Sequence, residues 1–443
     1  MTNAGRKPNV ADRGQALGLR LVTRAGGLGA LQNPAVRRRI ERVLYRGARN
    51  GFRVQTAATT AFARRSGSGA PIRTGPSRPR RAFDLTPTED QDMMRGVARE
   101  FADEVLRPAG AKADSDRSVP DAIREQAQEL GLGSLGVPAD LGGVAEERST
   151  TAAVLVLEEL ARGDLGLATS ILTSGSVATA LADYGTAEQQ QTYLPPLVAE
   201  TDSAIGALAL MEPQPLFDPL EAQTTATREG DELIVNGVKS LVPVAATAQV
   251  FIVSAMLDGE PRLVIVESGT PGLEVADDPA MGLRAAATGR LHLQNVRISQ
   301  AQILGTTDDH RQVVRRARLA WAAAAVGVGQ AVLDQVKTYV VERQAFGEPI
   351  AHRQAVAFTV ANIATELDAL RLVVWRAAAL LDAGGDAGAQ IAHARHLAAT
   401  QGAQIGSDGV QLLGGHGFVK EFDNERWFRD LRATGILEGG LLV

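Results

Sequence analysis

Near the carboxyl-terminal end of the chain, one carboxylate, Glu438, has neighbours that favour chemistry. It lies between the apolar pair Ile436-Leu437 and the paired glycines Gly439-Gly440. A carboxylate among apolar residues is a stronger base than a solvated one, which suits the removal of a proton from a substrate. Glu438 is therefore a candidate general base, and the alternative interpretation is a solvated surface acid.

Two further groups could bind ligands. An apolar helical run that contains Gln411 ends in Gly414 and Gly415, where the backbone can turn sharply or lie close to a ligand. His393 and His396 are three residues apart on a predicted helix, but no nearby acid or third ligand completes a metal site. No metal is therefore predicted.

The order of these residues resembles the acyl-CoA dehydrogenase family over residues 84–440. The family pattern R-x-x-F-G … Q falls on Arg343, Phe346 and Gln354. The family's carboxyl-terminal pattern, roughly Q-x-x-G-G-x-G … R-D … E-G-T, falls on Gln411, Gly414, Gly415, Gly417, Arg429, Asp430, Glu438 and Gly439.

The resemblance implies a FAD-dependent oxidoreductase that acts on the CH–CH bond of an acyl-CoA thioester. In the family, the glutamate at the Glu438 position removes the α-proton while FAD takes the β-hydride. Some members place the base where this chain has Ala317, and Arg318 beside it matches a family arginine of the substrate pocket. The positions that hold the FAD of a neighbouring subunit are Arg343, Phe346, Gln354, Gln411, Gly414 and Gly415.

Two motifs around the flavin ring depart from the family. The usual T-E-P-G-A-G-S-D reads Met211-Glu212-Pro213-Gln214-Pro215-Leu216-Phe217-Asp218, without the small glycines and the hydroxyls. The usual N-G-x-K-x-W-I-T reads Asn236-Gly237-Val238-Lys239-Ser240-Leu241-Val242-Pro243. Leu241 therefore replaces the tryptophan that would stack on the flavin. Pro243 replaces the threonine that would bond its N5 edge, and it has no N–H.

The elements that must position these residues follow from hydrophobic periodicity. Helical spacing dominates residues 84–206 and 309–443, and strand-like alternation dominates residues 207–308, where Asn236-Gly237 predicts a hairpin turn. With the resemblance, this predicts an α+β, mostly α fold. It consists of an N-terminal helical domain, a middle β-barrel or sandwich domain and a C-terminal four-helix bundle.

Residues 1–83 are predicted to be a basic extension and linker. Residues 1–81 carry a net charge of +16, although the whole chain carries -5. A basic amphipathic segment in this extension would suit an anionic membrane surface or an acidic partner. The sequence offers no nucleic-acid motif, and no apolar run reaches about 18 residues. The composition suggests a bacterial cytoplasmic protein, with an organellar transit peptide as the alternative.

Three functions remain open at this stage. The first is an acyl-CoA dehydrogenase of fatty acid and lipid metabolism, whose flavin is reoxidised by an electron-transfer flavoprotein or similar acceptor. The second is a non-catalytic or half-catalytic subunit that completes the FAD site of a paired subunit. The third is an acyl-CoA-binding or scaffolding protein without flavin. The first two imply a homo- or hetero-oligomer, a dimer or tetramer.

Overall fold

A computed structural model describes residues 85–145 and 148–443. The basic extension, with its predicted amphipathic helix and linker, lies outside the described residues. The α-helices are α1 (Glu89–Phe101), α2 (Arg107–Asp116), α3 (Asp121–Glu129), α4 (Thr150–Gly163), α5 (Leu165–Tyr184), α6 (Ala187–Leu197), α7 (Thr307–Glu342), α8 (Gln354–Asp382), α9 (Gly388–Leu397), α10 (Ala403–Leu413) and α11 (Asn424–Thr434). The strands are β1 (Gly206–Ala209), β2 (Thr225–Glu229), β3 (Glu232–Val242), β4 (Val250–Leu257), β5 (Glu260–Glu267), β6 (Leu273–Asp277), β7 (Gly289–Ser299), β8 (Ile303–Leu304), β9 (Gln344–Ala345) and β10 (Glu348–Pro349).

The amino-terminal helices begin at residues that satisfy free backbone N–H groups. Thr88 caps α1 in a capping box with Gln91, and Thr186 caps α6 in the same way with Gln189. One π-helical turn, Ala102–Leu106, joins α1 to α2 without a break. These helices enclose the apolar α4 and α5, most of whose residues are buried.

The middle segment forms one eight-stranded sheet in the order β6-β7-β3-β2-β4-β5-β8, with β1 paired to β4. β1 and β2 each run parallel to β4, and the other pairings are antiparallel. One face buries a cluster that includes Phe251, and the opposite face packs on α5, α6 and α7. The sheet is therefore covered on both faces.

The carboxyl-terminal helices pack around α7, which has 36 residues. A second π-helical turn, Ala398–Gly402, joins α9 to α10, so that α7, α8, α9–α10 and α11 form the four-helix unit. Small residues on α7 permit close contact: a Cβ at Gly327 would lie 2.1 Å from the carbonyl oxygen of Glu158 on α4. The mostly helical three-domain fold is confirmed, while the domain boundaries stay predictions.

The hairpin predicted at Asn236-Gly237 is wrong. β3 continues through both residues, and the register with β7 shifts between Val235 and Gly237 as in a β-bulge. A side chain at Gly237 would lie 2.7 Å from the Cα of Thr224, which explains the glycine. The Asn236 Oδ1 accepts a hydrogen bond from the N–H of Asn295, so the asparagine joins β3 to β7.

The sequence has no unbroken apolar run of about 18 residues, but two of its helices are long and mostly apolar. By length and composition alone, α5 and α7 could each cross a bilayer. However, 78% and 83% of their apolar stretches are buried inside the protein. Burial of this extent is typical of core helices, so the two helices are weak evidence for membrane insertion.

Candidate active site

Glu438 lies on the segment that follows α11 and is 9% exposed. Gly439 and Gly440 have φ values of 69° and 75°, a conformation that favours glycine. A Cβ at Gly439 would lie 2.9 Å from the Leu210 side chain, and one at Gly440 would lie 3.2 Å from Pro243. The close contacts and the positive φ values therefore explain why both positions are glycine. The two glycines allow the chain to turn directly after Glu438.

The Glu438 carboxylate is held by two arginines, which corrects the expectation of purely apolar surroundings. The Arg318 Nε donates to Oε1 and Oε2 at 3.1 and 3.0 Å, and a second Arg318 nitrogen donates to Oε1 at 3.1 Å. Arg395 donates to Oε1 at 3.3 Å. Donors from two different helices, Arg318 on α7 and Arg395 on α9, therefore fix the orientation of the carboxylate.

The backbone after Glu438 is fixed by hydrogen bonds from α7 and α5. The Trp321 indole N–H on α7 donates to the Gly439 carbonyl oxygen at 2.6 Å. The Ser176 hydroxyl on α5 donates to the Gly440 carbonyl oxygen at 3.4 Å. Trp321 is almost fully buried, so its ring is a rigid support. Sequence reasoning missed Trp321, Ser176 and Arg395, because each lies at least 43 residues from the group that it contacts.

A cavity of about 230 Å³ lies beside this segment; its lining is more apolar than polar but includes Arg148, Arg316 and Asp382. Side chains of α4 and α5, including Leu157 and Leu172, line one wall, and Leu441 lines another. Ser176 both lines the cavity and bonds to Gly440. Glu438 is therefore three positions along the chain from Leu441, in the wall of a space that would accept an apolar group.

The predicted nucleotide-binding residues lie at the far end of α7. Arg343, Gln411, Gly414 and Gly415 line one open cavity of about 280 Å³. A Cβ at Gly414 or Gly415 would meet nothing within 4 Å, so packing accounts for neither glycine, although the φ of 57° at Gly414 favours glycine there. Exposed glycines beside an arginine would let the backbone approach a phosphate closely.

The remaining two predicted cofactor residues border this cavity without lining it. Phe346, in the turn between β9 and β10, is 96% exposed and has Arg353 stacked over its ring at 5.5 Å. Gln354 is the first residue of α8. Both side chains are near the cavity along the chain, since β9 begins directly after Arg343.

One chain does not bring the base and these nucleotide residues together. Arg318, which holds Glu438, and Arg343 are separated by 25 positions along α7 and its cap. At 1.5 Å per residue this corresponds to roughly 38 Å. A cofactor that used both ends would need them from different copies of the chain.

The loops with altered motifs keep a buried ion pair. The Lys239 ammonium, fully buried, donates to Glu212 at 2.8 Å and to the Ser254 hydroxyl at 2.9 Å. Glu212 also accepts from the N–H groups of Gln223 and Thr224. Burial lowers the pKa of Lys239 to about 8, although the negative charge of Glu212 raises it. The buried ion pair therefore gives Glu212 and Lys239 a structural role, although their neighbours in the two flavin motifs differ from the family pattern.

The other residues of these loops offer apolar contacts. Met211 is buried, and Phe217 and Leu241 pack against the same apolar cluster as Trp321. Leu216 is fully exposed with a φ of 55°, at a position where the family motif has glycine. Around a flavin ring, these loops would supply apolar side chains where the family has hydroxyls.

Within the described ranges, no group of three or more potential metal ligands lies together. His393 and His396 both lie on α9 and belong to no such group.

Comparison with known proteins shows which family the chain resembles over most of its length. Family models described as the N-terminal, middle and C-terminal domains of acyl-CoA dehydrogenase match residues 88–201, 207–296 and 310–441. A relative named probable acyl-CoA dehydrogenase from Bacillus subtilis is 34% identical over 370 residues, which are 81% of this chain and 96% of the relative.

Two solved structures are also similar. One, titled as the electron transferring flavoprotein of Acidaminococcus fermentans, is 30% identical with a TM-score of 0.74 over 80% of this chain and 95% of its own. The other, a glutaryl-CoA dehydrogenase from Mycobacterium smegmatis in complex with FADH2, is 26% identical. Its TM-score is 0.72 over 79% of this chain and 90% of its own.

Proposed function

Because this chain belongs to the acyl-CoA dehydrogenase family, we propose that it dehydrogenates an acyl-CoA thioester between its α and β carbons, with Glu438 as the base. Members of the family are flavoproteins of fatty acid metabolism that bind FAD and oxidise CH–CH bonds. The observation that carries the proposal is the buried Glu438 carboxylate, which accepts hydrogen bonds from Arg318 at a glycine turn and lies three residues before Leu441 in the wall of a cavity.

The residues present fit the pyrophosphate and adenosine end of FAD. The Arg343 guanidinium could donate two hydrogen bonds to a phosphate, and the Gln411 amide could donate or accept one. Gly414 and Gly415 have no side chains to keep a phosphate away from the backbone. Bound FAD would supply the hydride acceptor that proton removal from the α carbon requires. Around the ring, Met211 and Leu241 fit only through apolar contacts.

We assign three roles to this chain's own side chains in the reaction. Glu438 takes the α-proton, and its turn is held by the Trp321 N–H. Arg318 orients the carboxylate and, being one-third exposed, is also placed to contact an entering substrate. The cavity holds the acyl chain and excludes water from it.

We further propose that two copies of the chain complete each FAD site. The base and the Arg343 cavity lie at opposite ends of α7, and the Arg343 end carries exposed apolar side chains. These are Val341, Phe346, Phe358 and Phe418. Exposed aromatic residues of this number favour association with another surface, and contact with the Glu438 end of a second copy, repeated by two-fold symmetry, gives a closed dimer with two shared sites.

An electron-transferring flavoprotein is the proposed acceptor for the reduced flavin. The support is the family and the Acidaminococcus fermentans structure, whose title names such a protein. The half-catalytic subunit is not favoured, since models of all three dehydrogenase domains match this chain.

Visible absorption of the purified protein, before and after excess FAD, tests the cofactor. We expect flavin bands at close to one per chain, and a protein that stays colourless would contradict the proposal. A panel of acyl-CoA thioesters of increasing length would then identify the substrate.

Glu438→Gln tests the base. We expect this variant to retain flavin but to lose dehydrogenation by about 10²–10⁴-fold, the usual contribution of a general base. Glu421→Gln, at an exposed glutamate ahead of α11, is the matched control and should keep full activity. Wild-type activity in Glu438→Gln would overturn the role of Glu438.

We also propose a cytoplasmic location in a bacterium, with the basic residues 1–81 making a peripheral contact with an anionic membrane or an acidic partner. Sedimentation with vesicles that contain anionic lipid should retain the full chain but not a chain that begins at residue 84. Equal binding by both chains would contradict the membrane contact.

A further inference from the structure

Arg395 makes two contacts that tie the base to the helix beside it. One of its guanidinium nitrogens donates to the Thr434 carbonyl oxygen at 2.6 Å, and another donates to Glu438 Oε1 at 3.3 Å. Thr434 is the last residue of α11, four positions before Glu438. The planar guanidinium of Arg395, on α9, therefore holds both the last residue of α11 and the Glu438 carboxylate.

The π-helical turn Ala398–Gly402 follows Arg395 directly along the helix. A π turn inserts one residue, so the side chains before it are rotated relative to those after it. The helix also lies very close to the catalytic segment here, because a Cβ at Gly435 would be 2.8 Å from the Cα of Ala399. The π turn thus lets α10 keep its own packing while Arg395, on the preceding turn, faces Thr434 and Glu438.

The two oxygens of Glu438 have different surroundings. Oε1 accepts from two Arg318 nitrogens and from Arg395, whereas Oε2 accepts only from the Arg318 Nε among the described residues. An oxygen with three donors has little lone-pair density left for a proton, and an oxygen with one donor has more. The side chain is therefore oriented with Oε2 as the freer proton acceptor.

Arg395 is a buried cation whose charge is balanced by the Glu438 carboxylate. Its side chain is 15% exposed, compared with 33% for Arg318. Burial lowers the pKa of Arg395, Glu438 raises it and the like charge of Arg318 lowers it again. A buried guanidinium is costly without a carboxylate partner, so Arg395 and Glu438 depend on each other.

We propose that Arg395 is a positioning residue for the base: it fixes Glu438 Oε1 and so presents Oε2 to the α-proton of the substrate. This inference rests on the proposed function, since it requires Glu438 to be the base. Arg318 remains able to leave Glu438 for an entering substrate, because Arg395 keeps one cation on the carboxylate.

The test compares Arg395→Gln, Arg395→Lys and the matched control Arg432→Gln, an exposed arginine on α11. Three readouts are measured: kcat and KM across pH, exchange of the substrate's α-hydrogen for deuterium in D2O, and the Glu438 carboxylate in crystal structures. Arg395→Gln should lower kcat and α-exchange by about tenfold to a hundredfold with little change in KM, as for a misoriented reacting group.

Arg395→Lys should restore only part of kcat, because one ammonium replaces the planar fork. Arg432→Gln should match wild type throughout. If Arg395→Gln matches Arg432→Gln, or if its Glu438 carboxylate keeps its orientation, the positioning role is wrong while the base remains. If Glu438→Gln retains α-exchange, the base itself is wrong, and the role of Arg395 with it.

Discussion

Glu158 and Glu159 are adjacent on α4 and buried in opposite electrostatic settings. Burial raises the pKa of Glu158 to about 7, which the charge of Arg371 and the hydrogen bond from the Trp375 indole offset only in part. Burial also acts on Glu159, but hydrogen bonds and charges from Arg99 and Arg95 lower its pKa overall. One buried acid is therefore costly when ionised, and its neighbour is stabilising.

These settings predict opposite pH dependences. The folded protein keeps a proton on Glu158 that the unfolded chain releases from about pH 4.5 upwards, so stability falls as pH rises towards 7. Glu158→Gln should raise the free energy of unfolding by on the order of 2–3 kcal/mol at pH 8, and by almost nothing at pH 4.

Glu159→Gln is the matched comparison. A lowered pKa gives stability that is present above the unfolded value and lost as pH falls, so this variant should be less stable than wild type at pH 8. Denaturant titrations of both variants at pH 4 and pH 8 measure the two differences. A shift of the same sign in both variants at pH 8 would contradict the assignment.

At the scale of elements, the loop that replaces the family's glycine-rich motif retains a glycine-like backbone. Leu216 has a φ of 55° and is fully exposed, so its side chain gains nothing from burial. A left-handed conformation costs an L-residue about 1–2 kcal/mol, and asparagine tolerates it better. Leu216→Asn should therefore raise the free energy of unfolding by about 0.5–1 kcal/mol.

Leu130→Asn is the control for this prediction. Leu130 is also exposed, but its φ is -77°, where leucine is unstrained. Thermal unfolding of both variants separates relief of strain from a general effect of a polar surface residue. A lower melting temperature for Leu216→Asn than for wild type would rule out strain at this position.

The elements that sequence analysis predicted correctly are those with local causes. The helices within residues 84–206 and 309–443 and the strands within residues 207–308 follow from the spacing of neighbouring apolar residues. The hairpin at Asn236-Gly237 was wrong because pairing with β7 and contact with Thr224 overrode a local turn preference. Glu438 was found as a candidate base from its neighbours, but Arg395 and Trp321 were not, since only the folded chain brings them to it.

At the scale of the whole molecule, α7 separates the two halves of the proposed chemistry. Arg318 holds the base near one end, and Arg343 follows the other end at a distance of roughly 38 Å. If each FAD takes its base from one copy and its pyrophosphate ligand from a second copy, no copy alone contains a complete site. A chain defective only at Glu438 and a chain defective only at Arg343 should then restore activity when they form a mixed dimer.

Co-expression of Glu438→Gln with Arg343→Ala tests this arrangement. Each variant alone should be almost inactive, but a mixed dimer contains one site with both an intact Glu438 and an intact Arg343. Random assortment of the two chains should restore about a quarter of wild-type activity, since half the dimers are mixed and each has one complete site of two. Co-expression of Glu438→Gln with the double variant, which offers no intact Glu438, should restore none. Absence of complementation in mixed dimers that are shown to form would place the whole site within one copy, because only sites shared between copies can be rebuilt by mixing.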